Sequence, residues 1–151
     1  MANILIINGS PRKKGLISQM LDIMREVAEQ RGDKVHTVYT GAPCYWGNIP
    51  GQMKLLFDRI VYGMMRDTPR FPEPLMKGKK CILLSSCTTP WPWNIWFKQS
   101  RGAIRAMREI CRYSGFKIVA TIERGGTVMH PQLSEKDKQK CIKAIKRLFT
   151  S

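Results

Sequence analysis

The chain lacks any apolar run near the roughly 18 residues a membrane span requires. It also lacks a basic leader ahead of its first apolar run, Ile4–Ile7, which is too short for a signal-peptide core. That run reads as a strand, so no membrane insertion is expected and a cytoplasmic location is. Histidine is nearly absent, with two residues, and no CxxC pair occurs among the five widely spaced cysteines. A structural zinc site is therefore not expected. Cys44, Cys81, Cys87, Cys111 and Cys141 read as free thiols, mostly small buried apolar groups. Acidic residues are scarce too: 11 Asp and Glu stand against 26 Lys and Arg, a formal charge of +15. Such a field attracts anions, whether a phosphate, a dinucleotide, an acidic partner or nucleic acid, without choosing among them.

The 151 residues suit one domain, and 1–151 is read as a single unit. Strand-like and helix-like patterns alternate along it. Ala2–Asn8 is β-rich and ends in Gly9-Ser10-Pro11. Ile17, Met20, Leu21, Met24, Val27 and Ala28 then recur at helical spacing, and Gly32 is a stop signal. Val35–Thr40 is a second strand. Met53, Leu56, Phe57, Ile60, Val61 and Met64 form another helix face, with Pro50 near its start. Residues 68–78 hold three prolines and read as a surface linker. Cys81–Leu84 is apolar throughout, as in a strand buried on both faces. Ile104, Met107, Ile110 and Cys111 mark a helix ending near Gly115, Phe116–Ile122 a last strand, and Ser134-Glu-Lys-Asp137 a capping box before a last helix. This alternation predicts an α/β fold with a parallel sheet of four strands and helices on both faces.

Ligands in such sheets bind beyond the carboxyl ends of the strands. Three loops fall there. The first, Asn8–Ser18, offers Ser10 and Ser18 hydroxyls, the Arg12 and Lys13 cations, and Gly9 and Gly15 for tight turns ahead of a helix start. It is neither GxGxxG nor GxxxxGK[ST]. Its residues alone leave two readings level, a phosphate-monoester cup and a plain strand-to-helix turn. The second loop, Pro43-Cys-Tyr-Trp-Gly-Asn48 and onward to Gly51, places Tyr45 and Trp46 beside Gly47 and Asn48. These suit a flat ring, unless both aromatics pack in the core. The third, Ser85–Asn94, carries Cys87, Thr88 and Thr89, with Trp91 and Trp93 between prolines. Tryptophans in a loop are costly to expose, so they should line a pocket, a ligand or an interface.

Three stretches carry a resemblance: Ile-Ile-Asn-Gly-Ser-Pro-Arg, Pro-Cys-Tyr-Trp-Gly-Asn-Ile-Pro-Gly-Gln-Met-Lys, and Cys-Thr-Thr-Pro-Trp-Pro-Trp-Asn. Together, and over nearly the whole chain, they resemble the flavodoxin-like NAD(P)H-dependent FMN reductases, near iron–sulfur flavoproteins and multimeric flavodoxin-like quinone reductases. The resemblance implies a flavodoxin-like three-layer fold and an NAD(P)H oxidoreductase. It implies FMN on Ser10, Arg12, Lys13, Ser18, Pro43, Tyr45, Trp46, Gly47, Asn48, Cys87, Thr88 and Thr89. It further implies a small acceptor such as a quinone or flavin. The tryptophan-rich loop, and a sheet edge left open by a βα unit that this chain lacks, should leave apolar surface exposed, so a homodimer or tetramer is expected. The cofactor performs the redox chemistry, so no catalytic acid or base is assigned. His36 reads as structural and His130 as a loop residue. An electron carrier, or a family member without flavin, is the alternative. The last helix carries many lysines, but they surround its polar side and no nucleic-acid motif accompanies them, so no nucleic-acid partner is expected.

Two departures from the family stand out. Relatives commonly read Gly-Asn-Thr where this chain has Gly15-Leu16-Ile17. Either Leu16 and Ile17 leave the phosphate with fewer side-chain donors, or Ile17 opens the buried face of the helix. Relatives also carry a further βα unit before the second loop, often with a cysteine cluster; no iron–sulfur ligand set is expected here. Without that unit, keeping the first helix on its usual face makes its crossover left-handed, which occurs in about 2% of cases. The sheet is expected to avoid this by moving the helix, by placing the strand second, or by borrowing an edge.

Overall fold

Strand β1 (Asn3–Asn8) leads into helix α1 (Leu16–Gln30), followed by β2 (Lys34–Pro43) and α2 (Gly51–Met64). Two short strands, β3 (Met65–Arg66) and β4 (Glu73–Pro74), pair antiparallel within the proline-rich stretch. Next come β5 (Lys80–Ser86), a four-residue helix α3 (Trp93–Trp96), α4 (Gln99–Ser114), β6 (Lys117–Arg124) and α5 (Glu135–Phe149). The computed structural model describes residues 3–150, apart from the side chains of 36–40. His36 therefore lies outside the described side chains. Among the described residues, no helix is long and apolar enough to cross a membrane, and no three His, Cys, Asp or Glu groups gather to hold a metal ion.

The main sheet has four parallel strands in the order β1–β2–β5–β6. β2 pairs with β5 through Gly41, Ala42 and Pro43, at the carboxyl ends of the two strands. One face is covered by α1 and α5: Ile17, Met20, Leu21 and Met24 pack with Cys141, Ala144 and Ile145 over Ile4, Ile6, Leu84 and Ile122. On the other face, Met53, Phe57 and Met64 of α2 join Ala103, Ile104 and Met107 of α4 over Ala42 and Leu83.

The connections consequently differ in hand. The strand order runs one way across the sheet, yet α1 crosses on one face and α2 and α4 on the other. If the crossovers through α2 and α4 take the usual right hand, β1–α1–β2 is left-handed. Two of the expected arrangements are not adopted: α1 lies on the face opposite α2 and α4, and β2 sits between β1 and β5. Two local features hold α1 where it is. Its apolar stripe matches that of α5, and Gly41 lets it approach: a Cβ there would lie 2.5 Å from Ile17 Cγ2 and 3.1 Å from Leu21 Cδ1. The topology also leaves β1 at the edge. Its all-apolar stretch alternates in burial, with Ile4 and Ile6 inside and Leu5 60% exposed.

Chain ends of the helices follow their sequence signals. Gly32, at φ +78°, ends α1, with its N–H on Glu29 O at 2.8 Å and that of Asp33 on Ala28 O at 3.2 Å, the paired bonds of a Schellman turn. Ser134 and Asp137 form the capping box of α5. Asp137 also pairs with Arg124 Nε at 3.1 Å, both side chains being largely buried. Arg124 donates further to the carbonyls of Gly125 and His130, fixing the loop after β6.

Burial, reinforced by the charge of Asp137, pushes the Cys141 thiol from 9.0 up to about 12. A raised thiol pKa stabilises the fold fully below pH 9, and that contribution is lost as pH climbs toward 12. Urea unfolding between pH 8.5 and 10.5 should show wild type losing stability faster than Cys141→Ala, by up to ~1.4 kcal/mol per pH unit. Equal slopes would show that Cys141 ionises as easily folded as unfolded.

Candidate flavin and nucleotide site

Because β1, β2 and β5 are neighbours, the three loops at their carboxyl ends stand side by side. Gly9 N–H donates to Gly41 O at 2.8 Å, which ties the first loop to β2. A Cβ on Gly9 would lie 2.8 Å from Met53 Sδ, so the loop also rests on α2.

In the first loop, Asn8 Nδ2 donates to Ser18 Oγ at 2.8 Å, and Asn8 Oδ1 accepts from Ser10 N–H at 2.8 Å. Ser18 Oγ in turn donates to Arg12 O at 3.1 Å. Ser18 is buried with its hydroxyl engaged on both sides, so it braces the loop and is no open donor, unlike the sequence expectation. Arg12, Lys13 and Lys14 are exposed, and Ser10 is half-buried. Gly15 is the N-cap of α1 and supplies no side-chain cap, so the first-turn amides retain their donor capacity. The first turn contains no acidic residue. The result is a helix start with unquenched dipole beside three cations.

The second loop makes a tight turn. Tyr45 N–H donates to Asn48 O at 3.0 Å and Asn48 N–H to Tyr45 O at 2.9 Å. The two central residues, Trp46 (φ 52°) and Gly47 (φ 72°), both take positive φ, as a type I′ turn demands. This throws Trp46 wholly into solvent and leaves Tyr45 46% exposed, so neither packs in the core. Pro43 ends β2, and Cys44 N–H donates to Ser86 O at 2.7 Å. Cys44 Sγ contacts the Gln99 carbonyl at the start of α4. Gly47 presses on Gly102, where a Cβ would fall 1.6 Å from Gly47 O, so α4 must have glycine at that position.

In the third loop, Cys87 is buried, with its N–H on Arg124 O at 2.9 Å. Thr88 is exposed; Thr89 is half-buried and its carbonyl accepts Gly126 N–H at 2.9 Å. Burial raises both the Cys44 and Cys87 thiol pKa values, so neither is a ready thiolate. The tryptophans stay outside. Trp93 stacks on Phe97 at 5.8 Å and meets Trp96 edge-on at 5.2 Å.

Sequence reading missed a buried polar chain behind this loop. Asn94 Nδ2 donates to Ser100 Oγ at 3.2 Å, and Ser100 Oγ donates to Glu123 Oε2 at 2.6 Å. Asn94 is 2% exposed, and Gly125 lies against its amide. The residues sit in three elements, α3, α4 and β6, and no local pattern links them. His130 is exposed in the loop after β6.

Ile17 is 2% exposed and faces Gly41, while Leu16 is half-buried. The departure at Ile17 thus belongs to the core. Ile17→Thr should lower stability by about 1–2 kcal/mol through a buried hydroxyl without a ready partner, seen as a lower thermal midpoint. An unchanged midpoint would place the side chain outside the core.

Comparison with known proteins agrees with this architecture. The model of the flavodoxin-like fold family matches residues 37–149. An FMN-dependent NADH:quinone oxidoreductase of Haemophilus influenzae (strain PittEE) is 28% identical over 149 residues, which span 97% of this chain and 73% of that protein. The structure of Smu.1420 from Streptococcus mutans UA159 superposes with a TM-score of 0.72 at 14% identity, covering 98% of each chain. An FMN-dependent NADH-azoreductase of Bacillus anthracis, solved with FMN, gives 0.69 at 9% identity, covering 96% of this chain and 95% of its own. Identities this low speak for the fold alone. The family match takes in most of the chain, from β2 through α5, and the chain belongs to the flavodoxin-like fold family.

Proposed function

We propose that this chain is an FMN-dependent oxidoreductase that takes reducing equivalents from NAD(P)H and passes them to a small acceptor such as a quinone or flavin. The observation that carries this reading is the first loop. An uncapped helix start, braced from behind by Asn8 and Ser18 and flanked by Arg12 and Lys13, is chemically suited to a phosphate monoester. The cradle fits as well. A Cβ on Gly15 would lie 3.2 Å from both Arg12 Cβ and Arg12 O, so glycine keeps the backbone close and open. The relative named as an FMN-dependent NADH:quinone oxidoreductase supports the same cofactor and donor.

On this reading Ser10, Arg12 and Lys13 hold the phosphate with the first-turn amides of α1. The turn Tyr45–Asn48 and the Thr88–Thr89 segment hold the ring, with Pro43 and Cys87 shaping the floor between them. Bound FMN supplies the centre that accepts hydride and releases electrons. The protein's own residues bind, orient and screen from water; no acid or base among them is assigned a proton. We take residues 1–151 as one functional unit. The exposed edge of β1, apolar and without lysine or proline guards, favours self-association.

Titration of flavin-free protein should give tighter binding of FMN than of FAD, because nothing in the site resembles a dinucleotide fingerprint. Arg12→Ala should weaken FMN by about 1.5–3 kcal/mol, the range for a bond to a charged group. Tighter FAD binding, or an unaltered FMN affinity in the variant, would count against the phosphate cup. NADH or NADPH oxidation with a benzoquinone acceptor then separates an enzyme from an electron carrier.

A further inference from the structure

A groove of about 1340 Å³ runs between α2 and α4, starting at Trp46, Gly47 and Asn48 and passing down the face of α4. Its floor is apolar, with Phe57, Val61 and Ile104. This exceeds the roughly 300–1,000 Å³ of an ordinary small-molecule pocket, so it suits an elongated ligand.

The groove wall is charged in one sense. Arg101, Arg105 and Arg108 line it from α4, all exposed. Of the carboxylates that share the groove, Asp58 pairs with Lys54, Glu109 lies 3.9 Å from Arg105, and Glu123 accepts from Ser100. Among the described residues, Arg101 and Arg108 make no ion pair. They sit about 10 Å apart along the helix axis, at 1.5 Å per residue. Guanidinium groups are suited to phosphates through paired N–H donors, and two unpaired ones call for two anionic groups. Trp96 and Phe97, 66% and 65% exposed, add flat apolar surface to the same groove. An aromatic platform of this kind stacks a purine base.

We propose that the α2–α4 groove binds the adenosine half of a dinucleotide carrying a 2′-phosphate, with the diphosphate and the 2′-phosphate on Arg101 and Arg108 and the base on Trp96 and Phe97. This rests on the reading of the chain as an NAD(P)H oxidoreductase and sharpens it, since the groove opens on the loop assigned there to the flavin ring. An arginine at the adenosine ribose selects for the 2′-phosphate, whereas a carboxylate free to bond the 2′-hydroxyl selects against it. Here the carboxylates are engaged, and Arg101 and Arg108 make no ion pair among the described residues. The donor is therefore NADPH in preference to NADH.

The test uses the full chain, with and without added FMN, titrated with 2′,5′-ADP and with 5′-AMP by calorimetry and tryptophan fluorescence. We expect 2′,5′-ADP to bind at least tenfold more tightly, and Arg101→Ala and Arg108→Ala each to weaken it about tenfold. Lys136→Ala, on α5 and outside the groove, should leave it unchanged. Trp96→Phe should retain affinity and lose most of the fluorescence response. Equal affinity for the two nucleotides, or indifference to both arginine variants, overturns the proposal. So does displacement of 2′,5′-ADP by a single-stranded oligonucleotide at lower concentration, which makes the face a general polyanion track. Dissociation of a dimer by Trp96→Ala in light scattering also overturns it, since the groove is then filled by a second copy. The FMN titration stands apart: a chain that binds FMN but no nucleotide refutes the groove site alone, and one that binds 2′,5′-ADP but no FMN refutes the flavin reading alone.

Discussion

Ile17 resting on Gly41 joins the core of this protein to its candidate site. Ile17 is the second residue of α1, and its methyl group occupies the space a β2 side chain would need. The same Gly41 offers its carbonyl to Gly9, at the root of the first loop. The contact therefore helps to seat α1 on its face and ties that seating to where the helix start is presented. A larger residue at Gly41 would push α1 off the sheet and tilt the loop with it, since close-packed interiors transmit strain rather than absorb it.

That contact also makes sense of the unusual crossover. A reversed hand is disfavoured because strand twist and helix direction fit the sheet less well, yet local packing can outweigh it. Here α1 buries a full apolar stripe against α5 and β1. The opposite layer is thinner. Of α2, only Met53, Phe57 and Met64 are buried, and Ile60 is 38% exposed. A shallow α2 is what opens the groove beside α4.

Much of this was written locally in the sequence. Gly32 and the pair Ser134 and Asp137 marked helix ends because capping depends on neighbours within a few residues. The spacing of Met20, Leu21, Met24 and Ala28 marked a buried face for the same reason. Other features depended on topology and were not legible. The Leu5 exposure follows from the edge position of β1, which an apolar run alone does not reveal. The β3–β4 pair is too short to carry a periodic signal. Helix α3 was hidden by the prolines before it and by its tryptophans. Around the site, the cations Arg12 and Lys13 are exposed in the loop before α1. Ser18 turned inward because Asn8, ten residues earlier, reaches its hydroxyl. The chain from Asn94 through Ser100 to Glu123 joins residues from three elements, which only the fold brings together.

The electrostatic character of the site follows from where the acids were placed. A chain with 26 cations and 11 acids could have spread its carboxylates evenly. Instead, carboxylates are engaged in local tasks: Asp58 holds Lys54, Asp137 caps α5 and pairs with Arg124, and Glu123 is drawn onto Ser100. None stands in the first turn of α1 or of α4. Positive potential therefore persists at the first loop and along the α4 groove, the two places where glycines bring backbone close and aromatic surface lies nearby. Exposed pairs such as Lys54 with Asp58 add little stability, about 0–1 kcal/mol. Their greater effect is to keep carboxylates occupied, which leaves Arg101 and Arg108 of α4 and the cations at α1 available to an anion.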